Sequence, residues 1–207
     1  MSAERLKNIS RINAFYKKGN FESVIKESKS LIISELKSRK LLYIIALAYD
    51  QAALKKKGRL MNEMQKKAKK YAHKIIKNFP KWDKGYFVAG LISQHSGSAS
   101  AAVKFYKKAQ KINPNNPSYY LSLGNGYRAM KNYRLAKLYY KKVLKIKSIR
   151  HLACINLVSL YEEINKKNLI REYAKQSVRI LKNKKDIFSQ SQMLRMKKII
   201  KSTVPAV

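Results

Sequence analysis

The chain repeats itself every 34 residues. Gly90 and Gly124, Ala102 and Ala136, Tyr106 and Tyr140, and Lys107 and Lys141 each stand one period apart. The register runs on from Tyr127 to Tyr161 and from Ile112 through Ile146 to Ile180. A fixed period of this size marks stacked supersecondary repeats, none of which can bury its apolar face alone. It points to a binding surface rather than a catalytic pocket, and it leaves the partner unnamed.

The clearest repeat runs from Pro117 to Arg150. Tyr120, Leu123, Gly124 and Tyr127, then Ala136, Tyr140 and Val143, form two apolar stripes at helical spacing, separated by the polar turn MKNY at 130–133. This predicts helix–turn–helix. Gly124 and Ala136 are small where the two helices must approach, and tyrosines fill the space beside them. The run YLSLGNGY, followed by NY, Ala136 and YYKKVL, resembles the tetratricopeptide repeat. The resemblance implies an all-α fold, a right-handed superhelical solenoid of helix pairs.

One period back, Tyr86, Ala89, Gly90, Ala102, Tyr106, Ala109 and Pro114 keep the pattern, with Ser93 where the family has Tyr. One period forward, Val158 and Ile170 replace small residues, which predicts slightly wider helix packing there. The pattern continues upstream through Phe15, Val24, Ser28 and Leu31, then Leu42, Ile45, Ala46 and Tyr49, with Ala68, Ala72, Ile75 and Pro80 displaced by ten residues. The expected organisation over 5–182 is five repeats near 5–38, 39–82, 83–116, 117–150 and 151–182. The second carries an insertion at 53–62, read as a helix extension and a longer turn. Residues 183–207 are expected to form a capping helix and short tail, with Ile187, Met193, Met196, Ile199 and Ile200 covering the last repeat.

The charge is unusual: 47 Lys+Arg against 11 Asp+Glu, a formal +36. Such an excess repels itself and attracts polyanions. By spacings of three, four and seven, Lys70, Lys74 and Lys77, then Lys104, Lys107, Lys108 and Lys111, then Lys141, Lys142 and Lys145 each fall on one face of a second helix, and Lys175 and Arg179 follow. The resemblance places second helices on the convex side, so the lysines are expected to align as rows. The face lacks the interspersed Glu of a merely solvated helix. A solvated outer face and a polyanion-binding surface both stay open.

The resemblance also places ligand contacts on the first helices, at set places in each repeat. Carried over, these are Tyr43, Leu47 and Asp50; Phe87, Leu91 and Gln94; Leu121, Asn125 and Arg128; and Ile155, Ser159 and Glu162. That lining is apolar and aromatic with a few polar groups, suited to an extended segment or an amphipathic helix.

Nothing in the chain spells out catalysis. His73, His95 and His151 share no metal-ligand spacing with Cys154 or with carboxylates. The GNGY run lies inside a predicted helix and follows no strand, so it is no phosphate loop. Cys154 takes a helix-packing place, and Trp82, after Pro80, is read as a wedge between repeats. The single cysteine, the absence of an apolar leader and the absence of a run near 20 apolar residues predict a cytoplasmic protein, and the charge leaves open a place peripheral to a membrane or large assembly. The reading is a non-catalytic interaction scaffold or adaptor without cofactor or metal. It takes a protein segment in its groove and an acidic protein, nucleic acid or anionic membrane on its basic face, with self-association a further option. The alternative is sequence-nonspecific RNA binding through the lysine rows, since Lys rather than Arg suits backbone phosphates more than base edges.

Overall fold

The computed structural model describes residues 3–29 and 38–203, and within them every regular element is an α-helix. The chain divides into two compact halves, Met1–Pro114 and Asn115–Val207. The N-terminal half holds α1 (Ala3–Lys17), α2 (Phe21–Ser28), α3 (Arg39–Ala53), α4 (Gly58–Asn78), α5 (Asp83–His95) and α6 (Ala99–Ile112). The C-terminal half holds α7 (Pro117–Ala129), α8 (Tyr133–Leu144), α9 (Arg150–Glu163), α10 (Lys167–Leu181) and α11 (Ile187–Ser202). Successive helices pair within each half, and first helices also meet one another, α1 with α3, α3 with α5, and α7 with α9. Leu31 of the expected first repeat lies outside the described residues.

The turn inside a pair has one recurring requirement. Gly19, Gly97, Lys131 and Asn165 hold the same register place, and all four have positive φ, from 53° to 79°. The left-handed residue lets the second helix reverse over the first. Glycine adopts it freely, whereas Lys131 does so at a conformational cost of about 1 kcal/mol. The next residue starts the second helix: Asn20 and Asn132 accept from the Ser23 and Leu135 amides, each at 3.1 Å. In the second pair the equivalent place, Ala53, is still helical. Gly58 (φ 58°) supplies the turn instead, and α4 runs 21 residues. The additional residues thus occupy the turn and the first part of α4.

Close approach of the paired helices rests on a size exchange. A Cβ at Gly90 would overlap the ring of Tyr106, and one at Gly124 would overlap the ring of Tyr140. Both tyrosines are fully buried. In the fifth pair the same places hold Val158 and Ala174, in the second Ala46 and Ala72, all buried. In the third, fourth and fifth pairs bulk removed on one helix is returned on the other, as dense packing demands, whereas the second pair is small on both sides. The bulk of Val158, expected to push its helices apart, is offset by Ala174.

A second recurring contact is a stacked tyrosine pair: Tyr49 with Tyr71 at 5.7 Å, Tyr127 with Tyr139 at 5.5 Å, and Tyr161 with Tyr173 at 5.5 Å. Such pairs add about 0.5–1.5 kcal/mol beyond burial. The third repeat lacks it, because Ser93 stands where the first tyrosine would be. Ser93 is buried and donates its hydroxyl to the Ala89 carbonyl at 2.8 Å.

The closing helix departs from expectation at one residue. Met196 is fully buried on α11, with Ser189 on the same stripe and Met193, Ile199 and Ile200 partly covered. Ile187, expected to join them, is 88% exposed. At about 100° per residue it lies opposite Met196 on the helix, so apolar identity alone misplaces it.

Candidate binding surfaces

On the N-terminal half, α3 and α5 lie side by side and turn Tyr43, Leu47, Phe87, Leu91 and Gln94 to a common, half-buried surface. Trp82 packs edge-on to Tyr43 at 5.8 Å, and the Arg39 guanidinium sits 5.3 Å over the Trp82 ring. Trp82 is therefore a wedge between α3 and α5. Burial, with Tyr16 and Asp83 nearby, pushes the Tyr43 phenol up to about 12. Gln94 accepts from the Tyr106 hydroxyl at 3.1 Å, which ties the surface to α6.

Beside these apolar groups lies a pair the repeat pattern does not announce. Asp50, 1% exposed, receives His95 Nδ1 on its Oδ2 at 2.7 Å, and Gln51 donates to the same oxygen at 3.4 Å. Its other oxygen, Oδ1, has no hydrogen-bond partner among the described residues. The hydrogen bond to Asp50 raises the His95 pKa, opposed by burial and reinforced by the carboxylate's charge. His95 keeps a quarter of its side chain exposed, so the pair presents an imidazole beside the apolar surface, backed by a buried carboxylate. Asp50 is at a family contact place, whereas the sequence alone makes His95 a residue near a turn. The signal that joins them is the scarcity of acids, which makes an Asp on an apolar helix face conspicuous.

The corresponding surface of the C-terminal half is largely committed within the fold. Asn125 accepts from the Tyr140 hydroxyl at 2.7 Å. Arg128 approaches Glu163 at 3.7 Å. Ser159 and Glu162 both receive Arg195 of α11, at 3.5 and 3.2 Å. Ile155 is 9% exposed and so belongs to the interior rather than to a groove. Ile155 thus packs in the interior, Ser159 helps to hold the closing helix, and Leu121 is half-buried.

The acids explain why the lysines stay uncompensated. Glu22 pairs with Lys56, Glu27 with Arg11, Glu63 with Arg59, and the acids named above with His95, Arg128 and Arg195. Asp83 accepts from Asn113 at 2.8 Å, Glu172 from Gln176, and Asp186 caps α11 through the Ser189 amide. None of these partners belongs to the basic rows. Lys70, Lys77, Lys104, Lys111, Lys141, Lys145, Lys175 and Arg179 are exposed and pair with no acid among the described residues. Lys74 is partly buried and Lys107 exposed, both with contacts inside the fold. Lys108 and Lys142 differ again. Lys108 lies 5.9 Å over the Tyr86 ring, and Lys142 lies 5.8 and 5.4 Å over Tyr120 and Tyr139. Both sit one period apart over register-equivalent tyrosines, so part of the basic face also covers aromatic rings.

Cys154 is fully buried and donates to Gln176 at 3.9 Å, and burial pushes its thiol up to about 11, far from a reactive thiolate. His151 packs against Lys184; burial, and then the Lys184 charge, lowers its pKa. Among the described residues no three His, Cys, Asp or Glu side chains gather as metal ligands, and no helix is long and apolar enough to cross a membrane.

The tetratricopeptide-repeat model matches residues 83–116 and 117–149. Among the solved structures that resemble the chain are three whose likeness covers most of it. TTC0263, a thermophilic tetratricopeptide-repeat protein of Thermus thermophilus, has a TM-score of 0.70 at 13% identity over 94% of this chain and 98% of its own. MamA of Desulfovibrio magneticus RS-1, from residue 41 to its end, has a TM-score of 0.72 at 12% identity over 90% and 99%. A chain of the APC/C hetero-tetramer Cut9–Hcn1 has a TM-score of 0.66 at 14% identity over 89% of this chain and 34% of its own. No curated protein matches the chain in sequence. Residues 83–149 thus carry tetratricopeptide repeats, and the described residues fold as α-helices arranged in pairs. The fold is in general a protein–protein interaction scaffold, and its members are typically non-catalytic.

Proposed function

We propose that this protein is a non-catalytic adaptor that captures a protein segment on the α3–α5 surface of its N-terminal half. The observation carrying this reading is the apolar set Tyr43, Leu47, Phe87 and Leu91 on two adjacent first helices, beside the His95 imidazole. Large apolar groups around a few polar ones suit an amphipathic helix or an extended segment. An acidic partner fits best, because the basic surroundings favour it over a basic one. A cytoplasmic setting belongs to the same reading, supported by the single, buried cysteine.

The second reading is polyanion binding, RNA included, through the outer lysines, and the absence of acid partners for most of them supports it. One experiment separates the two. Partner capture and binding to polyuridylate are measured for Leu91→Glu and for Lys104→Gln/Lys111→Gln/Lys141→Gln/Lys145→Gln. Leu91→Glu should abolish capture of the partner, leave polyuridylate binding intact and preserve the helical signal. The lysine variant should keep capture and flatten the salt slope of polyuridylate binding by roughly 0.7 for each phosphate it no longer neutralises. Capture that survives Leu91→Glu but not the lysine changes would reverse the assignment.

A further inference from the structure

The closing helix α11 carries an apolar face that the fold does not use. Ile187 is 88%, Leu194 57% and Phe188 54% exposed. Helical phase places Ile187 and Leu194 on the stripe opposite the buried Met196, with Phe188 on its flank. Three large apolar side chains together on one short helix are an uncommon exposure unless something covers them. Their surroundings are basic. Lys185 precedes the helix, Lys198 and Lys201 continue the stripe of Leu194, and Lys197 lies beside it, all exposed. The nearby acid, Asp186, is engaged by the Ser189 amide at 2.9 Å, and Glu162 is held by Arg195 at 3.2 Å.

We propose that this face of α11 docks on an anionic membrane surface, with Ile187, Phe188 and Leu194 entering the interface and the lysines on lipid headgroups. The inference is independent of the groove. Charge complementarity selects the occupant. A phosphate backbone would engage the lysines and leave three apolar side chains in water. A second copy would cover the apolar groups but bring like charges together. An anionic bilayer takes both parts of the face, the apolar side chains at the acyl boundary and the lysines at the headgroups.

The test is co-sedimentation with phosphatidylcholine vesicles with and without phosphatidylserine. The native protein should bind the phosphatidylserine vesicles and leave phosphatidylcholine vesicles unbound. Ile187→Ser/Phe188→Ser/Leu194→Ser should lose at least about tenfold in affinity with its helical signal unchanged, because all three are more than half exposed. Lys197→Gln/Lys198→Gln/Lys201→Gln should lose about a hundredfold, from roughly fivefold per lysine near the surface. This second variant decides the matter if the first fails to fold. Leu91→Glu should bind vesicles as the native protein does, so a failed groove leaves this result standing. The proposal is overturned if native protein ignores phosphatidylserine or binds both vesicle types alike. It is equally overturned if the serine variant keeps native vesicle affinity but loses a dimer in sedimentation. Loss of polyuridylate binding with vesicle binding intact in the lysine variant would assign the face to nucleic acid.

Discussion

Gly124→Val should destabilise the protein by about 3 kcal/mol in urea unfolding followed by helical circular dichroism. A Cβ there meets the Tyr140 ring, which is fully buried and held by its hydroxyl on Asn125, so it has no free space to move into. Tyr140→Ala should cost about 3–5 kcal/mol by opening a cavity against α7. The two together recreate the Val158–Ala174 combination of the fifth pair, where both residues are fully buried. The double variant should therefore be more stable than the sum of the two losses by on the order of 1–3 kcal/mol. Additive losses would mean that the exchange of bulk between paired helices is coincidental.

The buried Asp50 makes the second large effect. Removing His95 leaves its carboxylate without a cationic neighbour, and breaking a buried pair in this way costs about 3–5 kcal/mol; partial exposure of His95 puts the expectation at the lower end. His95→Leu should show this at acidic pH, where the imidazole of the native protein is charged. The direction of the pH dependence follows from the raised His95 pKa. A group whose folded pKa lies above its unfolded value, about 6.5 for His, stabilises fully below the unfolded value and loses that contribution as pH rises through the folded value. Native stability should thus fall from about pH 6.5 upward across the His95 titration, while His95→Leu is flat there. Parallel pH profiles for the two proteins would deny the pair its role.

The helix pairs, their turns and the glycine–tyrosine contacts are legible in the sequence because each is a local pattern that recurs at one spacing. Gly90 with Tyr106 repeats as Gly124 with Tyr140, and a contact repeated in register announces itself without coordinates. The Asp50–His95 pair has no such echo: its members lie 45 residues apart across the inserted segment, and no other repeat carries them. Lys108 and Lys142 read in sequence as outward charges, because spacing gives the face of a helix but not what its long side chains fold back upon. The C-terminal groove places follow the family pattern in sequence, yet Arg195 of the closing helix claims Ser159 and Glu162. A capping element outside the repeat register cannot be foreseen from the register. Ile187 shows the same limit in reverse, since its phase on α11 matters more than its apolar character.

Capture of a protein segment by the α3–α5 surface can be read out by site-specific photo-crosslinking. A benzophenone side chain is placed in turn at Leu91 on that surface and at Lys141 on the basic face of the other half. Crosslinking at Leu91 should yield one discrete protein adduct that disappears when Leu47→Glu is introduced on the neighbouring helix, and Lys141 should yield none of that adduct. The same adduct from Lys141, or persistence of the Leu91 adduct with Leu47→Glu, would mean that the segment is not held by the α3–α5 surface.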